Sequence, residues 1–261
     1  MAKSVHSVSP WRGQLFLMEG RALYLGLAAD ADSHAHHAAQ IAIALEGTFK
    51  LADPYGIALD TRAALVPPNA MHRLEGGGQP LAILFLDPES MPARHLASQG
   101  KDPIQLDEAL FRPLLPKLLQ AYQEGINFQE GWDFCEELLQ ALAPAERAAP
   151  LDPRVRRAIA LLRDHPGTPP LSEVSKAVGL SPSRLGHLFS EQVGLPLRPY
   201  LLWLRLQRVL IALAQGGTLT MAAHDAGFAD SAHLSRTFRR MFGITPSSLA
   251  GGMRIILAPQ P

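Results

Sequence analysis

Two stretches of this chain repeat one another at fixed spacing. In LSEVSKAVGLSPSRLGHLFSEQVG, Leu171 stands eight residues before Gly179, and in LTMAAHDAGFADSAHLSRTFRRMFG, Leu219 stands eight residues before Gly227. Leu185 to Phe189 spans four residues, as does Leu234 to Phe238; Phe189 to Gly194 spans five, as does Phe238 to Gly243. One residue is inserted in the second turn. Agreement at three places marks a repeated supersecondary unit. Each unit begins with a short apolar stripe, Leu171/Val174/Val178 or Leu219/Ala222/Ala226. A glycine follows where the helix ends and the chain needs positive φ. Ser181-Pro182 or Asp230 then caps a second helix, with Leu185/Leu188/Phe189 or Leu234/Phe238/Met241/Phe242 along one face. Two short helices across a tight glycine turn form a helix-turn-helix. Between the units, Pro199 to Gln215 reads as a long apolar helix with Tyr200, Leu204, Leu206 and Leu213. Upstream, Asp152-Pro153 starts a helix striped by Val155, Ile159 and Leu162 that stops near His165, before Pro166-Gly167.

The charge distribution supports the same division. The chain has 261 residues and a formal net charge of zero, which by itself argues against a nucleic-acid partner. The zero is a cancellation: residues 1–150 hold 11 Lys+Arg and 18 Asp+Glu, whereas residues 151–261 hold 13 and 6. The basic half uses 12 Arg and a single Lys, Lys176; the rigid guanidinium fork suits phosphates and guanine edges. Leu142 to Pro153, LAPAERAAPLDP, has the composition of a short linker. A hydrophobic fraction of 47% excludes wholesale disorder. The single Cys, Cys135, forms no internal disulfide and reads as a packed core residue in a reducing compartment. MAKSVHSVSPW lacks the apolar core of a secretory signal, and the apolar Tyr200–Ala214 stretch carries Arg205, Gln207 and Arg208, unlike a membrane span. The expected location is the cytoplasm.

The last part of the chain resembles the DNA-binding domain of AraC/XylS-type transcription regulators. The matching residues are Gly179-Leu180-Ser181, Leu185 to Phe189, Gly194, Arg205-Leu206, Gly227-Phe228-Ala229-Asp230-Ser231, Ser235 to Arg240 and Gly243-Ile244-Thr245-Pro246. Ser175 in place of the usual Ala, and Leu249-Ala250 in place of an aromatic-Arg end, depart from the pattern. The resemblance implies that both second helices enter successive major-groove segments of double-stranded DNA, a geometry the groove width permits. Ser183, Arg184, Gly186 and His187 lie off the apolar stripe of the first recognition helix; Ser231, Ala232, His233, Ser235 and Arg236 lie off that of the second. Arg236 is the leading base reader. Arg239 and Arg240 suit phosphate contacts, which position without specifying.

Residues 15–90 contain short β-like runs, Leu23–Leu25, Gln40–Leu45, Thr48–Leu51, Ala63–Val66 and Leu81–Leu86, between Gly, Asp and Pro turns. That pattern suggests a barrel or sandwich. If His34 to Gly47 is one strand, His34, His36, Ala38, Gln40, Ala42 and Ala44 share a roomy face, with Ile41, Ile43 and Leu45 opposite. This segment, with Leu65-Val66-Pro67-Pro68 and His72, resembles the cupin-like sensory domain of the same family, although Thr61-Arg62 replaces the usual Gly-Asp turn. The resemblance to metal cupins aligns His34, His36 and His72 with three ligands and sets Gln40 in place of a carboxylate, which weakens a divalent metal site. His34, His36, Gln40 and His72 are thus candidate ligand-binding residues, and the three histidines candidate metal ligands. The residues leave open a metal, an organic effector or a structural cluster. Arg73 and His37 are further candidates for an anionic effector group.

Leu110, Leu114, Leu118 and Leu119, then Trp132, Cys135, Leu138, Leu139 and Leu142, recur at helical spacing. The family uses helices here for dimerisation, which implies a homodimer; an intramolecular cover over the barrel is the alternative. The expected fold class is α+β. An N-terminal cupin-like β-barrel (1–98) is followed by a helical, dimerising segment (99–146). An all-α domain with two helix-turn-helix units joined by a long linker helix completes the chain (147–261). The function this implies is an effector-controlled, sequence-specific transcription regulator, not an enzyme, with DNA, a small molecule, a second copy and RNA polymerase as partners and no membrane. The alternatives are a metal-binding cupin sensor or enzyme, and a constitutive DNA-binding regulator with a vestigial pocket. No cofactor follows from the sequence beyond a possible divalent metal.

Overall fold

The computed structural model describes residues 11–53, 55–142, 149–165, 167–250 and 252–259. The N-terminal half is two facing sheets. Strands β1 (Arg12–Met18), β2 (Arg21–Ala28), β4 (Ala39–Ala44), β7 (Ala63–Val66), β9 (Gln79–Leu86), β10 (Ile104–Gln105) and β11 (Met253–Leu257) make one sheet, in the order β10-β7-β4-β9-β2-β1-β11. Strands β3 (Ala31–His34), β5 (Phe49–Ala52), β6 (Ala58–Thr61) and β8 (His72–Glu75) make the other, in the order β3-β8-β5-β6. Strand β4 is buried on both faces. Its Ala42 and Ala44 face the space between the sheets with Phe49, Leu51 and Leu74, while Ile41 and Ile43 face outward into a second core. Small side chains inside and bulky ones outside follow the strand alternation.

The outward core is roofed by α1 (Met91–Ala97), α2 (Leu115–Glu124) and α3 (Phe128–Leu142). Leu115, Leu118, Cys135, Leu138 and Leu139 are buried there against Phe16, Leu23, Ile41 and Leu84. At roughly 1.5–3 kcal/mol for each fully buried aliphatic side chain, this packing is a principal stabiliser of the half. The leucine stripe therefore covers the sheet of its own chain. The expected helical start near residue 99 is corrected. Residues 104–114 form β10 and two 3-10 turns, Glu108–Leu110 and Arg112–Leu114, because Pro113 and Pro116 permit only first-turn positions. The linker expected over Leu142 to Pro153 falls largely on 143–148, outside the described residues, as does Pro166.

The C-terminal half contains α4 (Pro153–Asp164), α5 (Leu171–Ala177), α6 (Pro182–Val193), α7 (Leu197–Ala214), α8 (Leu219–Asp225), α9 (Ser231–Phe242) and α10 (Pro246–Ala250). Asp152, Ser181 and Asp230 accept from the backbone N–H of Arg154, Arg184 and His233, the expected caps. Gly179 and Gly227 adopt φ of +68° and +77° in the two turns. A side chain at 227 would also meet the Arg205 guanidinium of α7, 2.7 Å away. Ser175 is buried, and its hydroxyl donates to the Ser172 carbonyl, so the departure from Ala is accommodated within its helix. Helix α7 belongs to two cores. Its Leu197, Tyr200 and Leu204 pack with α4–α6, and its Trp203, Leu206, Val209 and Leu210 pack with α8–α9. Arg208 of α7 donates to the carbonyls of Leu162, His165 and Gly167, closing the end of α4.

The expectation of a wholly helical C-terminal part is corrected at its end. Met253–Leu257 runs parallel to β1, from Gly13 opposite Met253 to Leu17 opposite Leu257. The run MRIIL is rich in residues that fit a half-buried pleated edge, and β1 offers an edge to pair with. No helix among the described residues is long and apolar enough to cross a membrane.

Candidate DNA-binding face and sensory cavity

The two recognition helices are α6 and α9. On α6, Ser183, Arg184 and His187 are exposed and Gly186 is half-buried, while Leu185, Leu188 and Phe189 are buried. On α9, Ala232, Arg236, Arg239 and Arg240 are exposed, and Ser231 and Ser235 are half-buried. The Ser235 hydroxyl donates to the Ser231 carbonyl at 2.8 Å, which occupies its proton within the helix. His233 packs edge-on against Phe228 at 5.4 Å between ring centres, so it supports the unit from the side. Arg184 and Arg236 stand on corresponding helices with their guanidinium groups presented to solvent. Arg239 is exposed as well, but its guanidinium is ion-paired with Asp32 at the start of the β3 edge.

The histidine segment is not one strand. β3 ends at His34 in one sheet, and β4 begins at Ala39 in the other. The bend between them nevertheless gathers the expected residues. His34, His36, Gln40 and His72 are all buried. Ring centres lie 4.2 Å apart for His34–His72, 5.1 Å for His36–His72 and 5.7 Å for His34–His36. Each Nδ1–H donates to a backbone carbonyl: His34 to Asp32 at 2.7 Å, His36 to Ala38 at 2.9 Å and His72 to Ala70 at 3.0 Å. Because a carbonyl can only accept, all three tautomers are fixed and each Nε2 carries a lone pair. Gln40 lies 2.8 Å from His36 Nε2. A half-turn of its amide, which exchanges oxygen and nitrogen, presents the N–H that this acceptor requires. His72 Nε2 is buried without a hydrogen-bond partner. Burial, with the neighbouring rings, pushes His36 down to about 3 and His72 well below its usual value; burial also lowers His34. The cluster is neutral at pH 7. Arg73 instead pairs with Glu75, and His37 with Asn69, so neither takes part in it.

A cavity of about 450 Å³ adjoins the cluster. One wall is barrel, with Leu15, Tyr24, His34, Gln40, His72, Ile83 and Phe85; the other is Trp203, Leu206, Leu210, Phe238, Phe242 and Ile244 of the helical half. The lining is mostly apolar, with Asp87, Arg163 and Gln207 as further polar groups beside the histidines and Gln40, the usual make-up of a small-molecule site. Nothing in the barrel sequence alone signals that α7 and α9 complete it.

A buried polar network ties the halves together beside this cavity. Asp87 and Glu89, just after β9, meet Arg163 of α4. Tyr200 Oη–H donates to Glu89 at 2.7 Å, and Trp203 Nε1–H and Gln207 donate to Asp87 at 3.0 and 2.7 Å. Burial and the charge of Asp87 raise the Glu89 carboxyl, partly offset by Arg163. Burial opposes the Arg163 charge, but the two carboxylates more than offset it and hold it cationic. Sequence reading missed this network. Its signal was Asp87-Pro88-Glu89 directly after an apolar strand, and Arg163 among the off-stripe arginines of α4.

A family model described as a helix-turn-helix domain matches residues 174–251. The arabinose operon regulatory protein of Escherichia coli K12 is 32% identical over 162 residues, which cover 60% of this chain and 48% of that protein. Its counterpart from Salmonella typhimurium LT2 is 35% identical over 109 residues, covering 40% of this chain and 38% of that protein. ToxT from Vibrio cholerae O395 shares the architecture at a TM-score of 0.56 and 13% identity, covering 90% of this chain and all of that one. The helical half of the chain is thus similar to the helix-turn-helix domain of AraC-type regulators, and the whole chain shares the fold of ToxT. The chain spans about half or less of the length of the curated relatives it matches. The matched segment contains most of both helix-turn-helix units, from Val174 of α5 through α9. ToxT bound to (E)-4-(8-methylnaphthalen-1-yl)but-3-enoic acid is also similar, at a TM-score of 0.51, 13% identity and 92% coverage of this chain.

Proposed function

We propose that this protein is a sequence-specific DNA-binding regulator whose helical half is controlled by a small molecule held between it and the barrel. The observation that carries the reading is the shared cavity. A ligand there touches β-strand residues and α9 at once, so it can bind two arrangements of the halves with different affinity, which a shift between them requires. The cavity suits a mostly apolar molecule with a hydrogen-bond donor near His34 and His72, whose Nε2 atoms can only accept. Arg236 and Arg184 are the proposed base readers, Arg239 and Arg240 phosphate contacts, and Ser183, Gly186, His187, Ser231, Ala232 and Ser235 the remaining face. RNA polymerase, and a second copy of the chain meeting through the exposed side of α2–α3, are the proposed protein partners in the cytoplasm.

Binding of the purified protein to the promoter fragment upstream of its own gene tests the reading. Affinity should fall steeply with salt, and Arg236→Ala should cost about 1–3 kcal/mol if it makes one bidentate base contact. Absence of binding at low salt overturns it. A constitutive regulator would bind DNA equally with and without any molecule that raises the melting temperature. An enzyme would turn such a molecule over.

A further inference from the structure

We infer that His34, His36 and His72 form a site for a divalent first-row transition-metal ion, and that its occupancy fastens the second helix-turn-helix unit to the barrel. Metal binding stands on the cluster itself; its consequence for control rests on the function proposed above.

The three Nε2 atoms are prepared as ligands. Each ring already donates its other nitrogen to a carbonyl, at 2.7, 2.9 and 3.0 Å. Such bonds fix tautomer and ring orientation in metal-ligating histidines. One ring nitrogen from each of the three histidines lies within 4.8 Å of the others. Metal–nitrogen bonds of about 2.0–2.1 Å in tetrahedral geometry bring them to roughly 3.4 Å, a closure that modest ring rotation supplies. His72 Nε2 has no partner, although its ring is fully buried. A cluster with a purely structural role gains nothing from that orphaned acceptor, which costs stability unless something binds it. Three imidazoles select zinc, iron, cobalt, nickel or copper over magnesium or calcium. Gln40 holds His36 Nε2 in the present arrangement, so it must release that atom to the ion. The fourth position opens toward the cavity, which His34, Gln40 and His72 line.

The second unit rests on this site. Asp32 N–H donates to the carbonyl of Gly243, the residue ending α9, at 2.9 Å. A Cβ at Gly243 would stand 2.7 Å from His34 Nδ1. An ion that pins His34 therefore stiffens the stretch of β3 on which the end of α9 sits.

The test uses the untagged full-length chain, stripped of metal with a chelator and titrated with Co²⁺, with Zn²⁺ as competitor. One cobalt per chain with visible ligand-field bands of imidazole coordination, displaced by zinc, is expected. His72→Ala should abolish the bands. Gln40→Glu, which frees His36 and adds a carboxylate, should tighten binding about tenfold and change the spectrum, and it decides the matter if His72→Ala fails to fold. Hydrogen exchange over residues 31–34 and 239–243 should slow on metal addition. No stoichiometric binding, or binding that neither variant alters, overturns the site. Binding by the cluster with unchanged exchange at 239–243 overturns the coupling. A chain that binds metal in this way but no DNA overturns the regulator reading and leaves the site intact.

Discussion

The two helix-turn-helix units share spacing, capping chemistry and glycine turns, but they are built into the molecule differently. The first packs its helices with α4 and the start of α7 in a core of helical residues. The second shares its core with Ala38 of the bend before β4 and with Leu17, Phe85 and Met253 of the sheet. Gly194, which ends α6, faces open space; Gly243, at the matching position after α9, lies against Asp32 and His34. A repeated sequence pattern thus specifies the same local fold twice, while a few contacts outside the pattern seat one copy on the barrel. The first unit is joined to the barrel at one remove, through Arg163 and Tyr200 rather than through its recognition helix.

The largest effect on this comparison should come from Arg163→Ala. It leaves Asp87 and Glu89 buried without their cation and should cost about 3–5 kcal/mol in urea unfolding. A loss below 1 kcal/mol would mean that the network does not hold the halves together. Next are the paired glycines. Gly194→Ala meets only the left-handed backbone penalty of about 1–2 kcal/mol. Gly243→Ala adds a clash with the Asp32 backbone and should cost about 2–4 kcal/mol in all. Equal costs would break the contrast between the units.

A pH series refines the same network. Glu89 is raised by burial and by Asp87, so the folded state holds its proton more tightly than the unfolded chain. The resulting stability is complete below the ordinary carboxylate range and is lost as pH rises through the raised pKa. Glu89→Gln, which mimics the protonated form, should therefore gain on the natural protein as pH rises across that window. A constant difference between the two across pH would remove Glu89 as the titrating group. The smallest effect belongs to Asp32→Ala. The Arg239 pair is about 60% exposed on both sides, so its loss should change stability by about 0–1 kcal/mol. Freeing Arg239 should raise affinity for nonspecific DNA at low salt by a few-fold; a fall would mean that the pair orients Arg239 for DNA.

Much of the site was legible because its signals are local. Capping residues, turn glycines and apolar periodicity act within a few positions, so α4, α6 and α9 stand where Asp152, Ser181 and Asp230 cap them and where Gly179 and Gly227 turn the chain. The histidine cluster was legible for its members and not for its path. His34 and Gln40 share a neighbourhood although they sit in different sheets, because the bend at 35–38 takes the chain from one sheet to the other. The acidic–arginine network, the cavity wall supplied by α7 and α9, and strand β11 gave weak local signals. Each depends on partners 70 or more residues away, as in the separations of 74 between Arg163 and Glu89 and 120 between Gln207 and Asp87.

The sequence by itself determined two copies of a helix-turn-helix, the division of charge between the halves, and an alternation in β4 that keeps alanines toward the inside. These follow from backbone propensities and burial periods that any surrounding structure must respect. Tertiary structure alone decided that the second copy lies on the barrel, that the cavity has walls from both halves, and that Met253–Leu257 completes the N-terminal sheet. Those outcomes depend on which exposed edge and which apolar face find each other, and such complementarity between distant surfaces leaves no period in the chain.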